Sequence, residues 1–294
     1  MSDKTVFIRH KFEQGPKLWS KPKKEKWIFI HFNGEKGETL EEYSEEAQKS
    51  RGFRTAFKRL KELGETGGLV MAQYETSEFL IGHVEPGTRI EFWDVHENDS
   101  AAKPDYYKTL QVAGKWEGPF KYADYPLLMA LRPPFVTIAN MSEYSRNMIQ
   151  HLWNSEPLQC IVDNMHPKML EQMCAEWLRS PYAAKEHKIQ YQILKTGKSL
   201  PVIDLYAKTK YGEKLFAQIT HTTSPHSARN KAQKLKALSE DSSEENAALF
   251  FGREEIQAHV EKVGVKFIPV ESVFDELKRD PNYKPMLEEM IGIK

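Results

Sequence analysis

The chain has 294 residues, 42 basic and 42 acidic side chains, and a hydrophobic fraction of 40%. That balance excludes a wholly disordered polymer, and zero formal charge disfavours a protein that coats nucleic acid indiscriminately. No apolar run approaches the roughly 18 residues needed to span a bilayer, so no membrane partner is expected. The opening MSDKTVFIRHKF lacks the apolar core of a signal peptide, and a cytoplasmic protein is expected. Two cysteines, Cys160 and Cys174, exclude a disulfide framework and a cysteine zinc site, and both read as small core hydrophobes.

The first half reads as β-rich, with strands around one or two helices that suggest a small twisted barrel or an open sheet. Val6–His10, Trp27–Phe32, Gly68–Tyr74, Phe79–Val84 and Thr88–Val95 are short segments of β-branched and aromatic residues. Glu75-Thr76-Ser77-Glu78 predicts a hairpin loop, and Glu85-Pro86-Gly87 a turn. Phe53, Phe57 and Leu60 recur at i, i+4 and i+7 before Gly64, the signature of a helix and its stop. Pro126–Ala139 is apolar but broken by Arg132-Pro133-Pro134, which excludes a regular central strand. A helix follows over Met141–Trp153, and Asn154-Ser155-Glu156-Pro157 ends it. We place a domain boundary there, giving 1–155 and 156–294.

The second half alternates helices and strands. Met169, Leu170, Met173, Cys174, Trp177 and Leu178 form a helical stripe after His166-Pro167. Three strand-like runs follow, Lys188–Leu194, Pro201–Ala207 and Lys214–His221. Then come a basic helix (Ser227–Leu238), a strand (Ala247–Phe251), a helix carrying Ile256, Val260 and Val263, a strand (Val265–Val270) and a helix (Ser272–Lys278). The order αβββαβαβα predicts a mixed sheet flanked by helices.

Charge in this half is patterned. Lys208, Lys210, Lys214, Arg229, Lys231, Lys234 and Lys236 face only Glu213 over 208–236, and a mostly acidic stretch follows. Such a strip is a solvated face or a track for a phosphate backbone. Beside it lie Leu200-Pro201-Val202-Ile203-Asp204 and Leu215-Phe216-Ala217-Gln218-Ile219-Thr220. A loop centred on Tyr211 sets antiparallel partners so that Asp204 faces Gln218, and Val202, Asp204 and Tyr206 share a face with Phe216, Gln218 and Thr220. A carboxylate and an amide oxygen so placed suit one Mg²⁺, a hard cation that prefers oxygen. Glu171, at the edge of its helical stripe, adds a third oxygen or is a solvated border residue. The alternative for Asp204 and Gln218 is a buried hydrogen-bonded pair.

A Glu-bearing helix, a strand with Asp, and a strand ending in an acidic or amide residue, a spacer and Lys resembles the PD-(D/E)XK nuclease superfamily. The form with Gln is similar to the Mrr-like restriction endonucleases. Pro201-Val202-Ile203-Asp204 and Gln218-Ile219-Thr220 carry the likeness, over about residues 166–275. It implies a DNA endonuclease that uses Mg²⁺, with Glu171, Asp204 and Gln218 as ligands, Lys208, Lys210, Arg229 and Lys236 on the nucleic acid, and room for a homodimer. Thr220 departs from the pattern, standing where the family has Lys. Either a lysine comes from elsewhere, with Lys231, Lys234, Lys236 and Lys208 as candidates, or the domain binds without cutting.

The WIFIHF strand, Gly68–Tyr74 and the FLIGHVEPGT turn weakly resemble the PUA-like superfamily, whose EVE and YTH members are small barrels that hold a modified base in an aromatic pocket. Trp19, Trp27, Trp93 and Trp116 are the residues on which such a base would stack, or else ordinary packing. The two likenesses together imply a reader of base-modified DNA joined to a nuclease, as in modification-dependent restriction of phage.

Overall fold

The computed structural model describes residues 4–10, 20–32, 34–74, 77–97, 101–133, 137–193, 203–240 and 246–293. It is a mixed α/β chain with three sheets, dividing into two compact units, Met1–Leu158 and Gln159–Lys294. The expected boundary at residue 155 thus falls in the last residues of the first unit. Among the described residues no helix is long and apolar enough to cross a membrane.

The first unit contains two sheets. One has the order β7-β4-β3-β1-β8, built from β1 (Thr5–Arg9), β3 (Gly68–Gln73), β4 (Glu78–Val84), β7 (Ala113–Lys121) and β8 (Ile138–Asn140). β1 and β3 are parallel, and the other pairs are antiparallel. The second has the order β2-β6-β5, from β2 (Trp27–Ile30), β5 (Glu91–Asp94) and β6 (Tyr106–Gln111), all antiparallel. The helices are α1 (Ser20–Glu25), α2 (Glu45–Lys49), α3 (Arg51–Thr66), α4 (Pro126–Leu131) and α5 (Glu143–Asn154). Ser50 caps α3 by accepting from the Phe53 N–H. Phe53, Phe57, Leu60 and Leu63 then share one core with Val6, Ile8 and Val70 of the first sheet and Ile28, Ile30 and Leu110 of the second.

Three observations refine the expectations for this half. Among the described residues no strand is hydrogen-bonded into both sheets and no closed barrel is seen, and only Val112 separates β6 of one sheet from β7 of the other. β6 and β7 had no sequence signal: YYKTLQ buries Lys108 completely, and AGKWEGPFK is mostly exposed and carries two glycines and a proline. The apolar run before Arg132 is partly helical, with Pro126 in its first turn, where a missing N–H costs nothing.

The second unit contains α6 (Pro167–Arg179), β9 (Ile189–Ile193), β10 (Leu205–Thr209), β11 (Lys214–Ile219), α7 (Pro225–Glu240), β12 (Asn246–Gly252), α8 (Gln257–Glu261), β13 (Lys266–Pro269), α9 (Val270–Arg279) and α10 (Lys284–Ile291). The sheet order is β13-β12-β11-β10-β9, antiparallel through β9-β10-β11 and parallel through β11-β12-β13. That is the expected element order with α10 added. Alternation divides the sheet between two cores. Leu205, Ala207, Leu215, Ala217, Ile219, Leu249 and Phe251 pack with Leu170, Met173, Cys174 and Leu178 of α6 and with α9 and α10. Phe250 and Phe267 lie in the other core with Ala228, Ala232 and Leu235 of α7 and Val260 of α8, and Tyr206 and Phe216 pack against it.

Phe250 is fully buried in the core under α7. Phe250→Ala is expected to lower stability by about 3–5 kcal/mol through lost burial and the cavity left behind. Urea unfolding of the wild-type and variant chains followed by far-UV circular dichroism measures the shift.

Candidate functional site

The hairpin β10–β11 has the register that the loop centred on Tyr211 predicts: Leu205 pairs with Ala217, Tyr206 with Phe216 and Lys208 with Lys214. The Tyr206 and Phe216 rings stack across it at 5.3 Å. Continued by one residue, the ladder has the Asp204 N–H donating to the Ala217 carbonyl at 2.9 Å. Asp204 and Gln218 therefore meet. The Gln218 side-chain amide donates to the Asp204 carboxylate, and the Ile219 N–H donates to the same oxygen, Oδ2, at 2.8 Å. Gln218 is buried and Asp204 half-buried.

Thr220 completes the strand end. It is buried, its N–H donates to the Phe251 carbonyl at 3.1 Å, and its hydroxyl accepts from the Thr222 N–H at 3.2 Å. A relay of hydroxyls then turns the chain into α7. Thr222 Oγ1 accepts from the Ser224 N–H, and Ser224 Oγ from the Ser227 N–H, at the helix start. α7 points Ala228, Ala232 and Leu235 inward, at i, i+4 and i+7. Lys231 is the residue beside Ala232, on the border of that face. Its stem is half-buried and its Nζ donates to Thr220 Oγ1 at 3.1 Å. An ammonium thus reaches the position where the strand itself has no lysine.

α6 approaches the same strands from the other core. Burial pushes the Cys174 thiol well above its ordinary pKa, and the charges of Glu171 and Asp204 push it further. Both carboxylates therefore lie within electrostatic reach of one buried sulfur. Cys174 is wholly enclosed, and Cys160 packs half-buried against the same core, so both are packing residues. His221, next to Thr220, turns to the other side, where its Nε2 lies 2.9 Å from the Met165 carbonyl oxygen.

The remaining cations are dispersed. Lys208 faces Lys214 across the hairpin, four residues from Asp204 or roughly 13 Å along a strand, so it is not a candidate for the position beside Thr220. Lys210 is exposed in the turn, Arg229 and Lys234 are exposed on α7, and Lys236 pairs with Glu240 at 3.7 Å. Pro201 and Val202 lie outside the described residues, as does Trp19.

In the first unit, two of the tryptophans come together. The Trp27 and Trp93 rings are 5.9 Å apart, and the Lys21 ammonium lies over both, at 5.7 and 5.4 Å. Trp116 lies apart from this pair and meets Tyr74 edge-on at 6.1 Å. Gly82 makes room for it, since a Cβ there would come within 2.6 Å of the indole. Phe29 links the groups, with Trp93 at 6.5 Å and Tyr74 at 6.3 Å. Sequence reasoning missed His10. Its ring stacks on Phe29 at 4.0 Å, one nitrogen lies 3.2 Å from the Phe29 carbonyl, and Nε2 is buried without a hydrogen-bond partner. The only signal in the sequence was its place at the end of an apolar strand.

No family model matches the chain, and no curated protein and no solved structure is significantly similar to it.

Burial lowers the His10 pKa to about 3. The unfolded chain therefore takes up this proton near pH 6.5 and the folded one only near 3, so the stabilising contribution is complete above 6.5 and is lost as pH falls through that window. Relative to His10→Gln, the wild-type protein is expected to lose about 1.4 kcal/mol per pH unit between 6.5 and 3. Paired urea titrations across this range measure it. A pH-independent difference would mean that His10 is not held neutral.

Proposed function

We propose that the second unit is a Mg²⁺-dependent endonuclease that hydrolyses DNA, and that the first unit reads base-modified DNA through a PUA-like aromatic cluster, as in modification-dependent restriction of phage. The observation that carries the hydrolytic reading is the Lys231 amine 3.1 Å from Thr220 Oγ1, at the end of the strand that holds Gln218 against Asp204. The donor set of Asp204, Gln218 and Glu171 is all oxygen, which fits a hard divalent cation. Gln218 would turn its amide over to offer Oε1, since it now presents Nε2 to Asp204. When bound, Mg²⁺ would supply polarisation of the phosphodiester and a bound water of lowered pKa. Lys231 stabilises the negative charge that develops on the phosphate oxygens. Arg229 and Lys234, exposed on the same helix, lie along the phosphate backbone.

A second reading is favoured by a separate observation. Asp204 Oδ2 already accepts from Gln218 and from the Ile219 N–H, an arrangement that satisfies a half-buried carboxylate without any cation. On that reading the unit binds nucleic acid and does not cut.

Nicking of supercoiled plasmid in Mg²⁺ separates the two. Asp204→Ala is expected to abolish nicking, and Lys231→Met to slow it about 10²–10³-fold while binding is retained. Nicking by Asp204→Ala at the wild-type rate would remove the site assignment. Binding without nicking by the wild-type chain would establish the second reading.

For the reader, stacking on Trp27 is worth about 1–3 kcal/mol per base. Trp27→Ala is therefore expected to weaken binding of base-modified DNA by about tenfold or more, with unmodified DNA little affected. Competition binding with the two DNAs tests this.

A further inference from the structure

A surface outside both sites carries charge that its own helix does not explain. Arg51, Arg54, Lys58 and Lys61 recur at i, i+3, i+7 and i+10 along α3, and all four are exposed. At 3.6 residues per turn they fall within roughly 80° of arc, away from the buried Phe53, Phe57 and Leu60. None of the four makes an ion pair among the described residues. They border a groove of about 810 Å³. Its acidic members are Glu41, Glu62 and Glu65, and Glu62 is engaged by Lys4 at 3.0 Å.

The charge order along α3 runs against its dipole. The first turn has no acidic residue and begins with Arg51, and the last turn has no basic residue and holds Glu65. Cations at an N-terminus and anions at a C-terminus are both disfavoured. The Lys58–Glu62 and Lys61–Glu65 spacings are also in the weaker order, with the cation first. The neighbouring helix α2 does the reverse. It has Glu45 and Glu46 in its first turn and Lys49 in its last, and Lys49 pairs with Glu45 at 2.9 Å. Helix stability accounts for the charges of α2 and not for those of α3.

We propose that this face of α3 binds the sugar–phosphate backbone of duplex DNA and holds the first unit on it independently of sequence. Ten residues of helix span roughly 15 Å. Duplex DNA carries one charge per roughly 1.7 Å of its axis over both strands, so that length offers enough phosphates for the four cations. A straight, evenly spaced row of cations suits a rod of regular negative charge. The inference rests on the reading of the chain as a DNA-acting protein and adds a surface to it.

The test uses the full chain and a short fluorescein-labelled duplex, with anisotropy measured over a range of NaCl concentrations. R51Q/R54Q/K58Q/K61Q is expected to bind at least tenfold more weakly at low salt. The slope of log Kd against log [salt] should fall by about 3–4, near 0.9 for each phosphate that is no longer neutralised. K115Q/K121Q, on β7, should leave both unchanged. Because Arg51 and Arg54 stand at the N-terminal end of α3, where cations are disfavoured, and none of the four makes an ion pair among the described residues, the thermal midpoint of the quadruple variant should be unchanged or raised. A lower midpoint accompanying the weaker binding would overturn the proposal. So would wild-type affinity and slope in the quadruple variant, or tighter binding to single-stranded RNA or to phosphatidylserine vesicles than to the duplex. Plasmid nicking is read separately. Loss of binding in the quadruple variant with no nicking by wild type would leave the stripe standing and remove the nuclease reading. Normal binding by the quadruple variant with intact nicking would do the opposite.

Discussion

The second unit is organised around the problem of placing a carboxylate at the start of a buried strand. Asp204 solves it by drawing on the next strand, taking the Ile219 N–H at 2.8 Å and the Gln218 amide on one oxygen. Those two donors exist at one register only. The apolar pattern demands the same register, since a one-residue slip would exchange Leu205, Ala207, Leu215, Ala217 and Ile219 with the residues of the opposite face. Polar satisfaction and core packing therefore agree, and that agreement makes the hairpin a rigid platform.

The platform also decides which helix delivers the cation. With one core holding α6 and the other α7, the strand end carrying Gln218 and Thr220 is served from both layers. Thr220 is short, β-branched and buried, and suits a strand interior better than a lysine with nowhere to extend. Its hydroxyl then becomes the acceptor that fixes Lys231. Thr220 thus holds a lysine amine at the end of the strand. The helix start that makes this possible is set by Thr222 and Ser224, whose hydroxyls turn the chain within five residues of the strand.

What is legible in the sequence follows from where periodicity is strong. The alternation in 203–219 is nearly complete, so the hairpin, its register and the meeting of Asp204 with Gln218 follow from the residue pattern alone. The stripe of α6 and the i, i+4, i+7 spacing of α7 are as clear. Lys231 cannot be singled out from Lys234 and Lys236 in this way, because that choice turns on the helix phase set by the Thr222–Ser224 turn. The first unit is harder. β6 and β7 hide behind a buried lysine, held by the carbonyls of Phe32 and Tyr106, and behind glycines and a proline. Without them the partners of β2 and β4 are missing. Trp27 and Trp93 meet only because β2 and β5 both pair with β6.

On the proposed nuclease reading, the hydrogen bond from Gln218 to Asp204 would bear on metal binding as well as on folding. A carboxylate meant for a cation is costly to bury when the cation is absent, by about 1–3 kcal/mol or more if left without donors. Here the amide removes that cost, and its oxygen and nitrogen are close enough in shape that one rotation exchanges a donor for a ligand. Converting the pair gives up a charge-assisted hydrogen bond worth about 1.5–3 kcal/mol. A divalent ion held between oxygen ligands interacts with a single carboxylate far more strongly than an amide N–H does, so the exchange runs in its favour. An acidic residue at position 218 would hold the ion more tightly but would face Asp204 as a like charge whenever the ion was absent. On that reading Gln at this position would give up some affinity for a strand end that folds with or without the ion, with the half-buried Lys231 beside it.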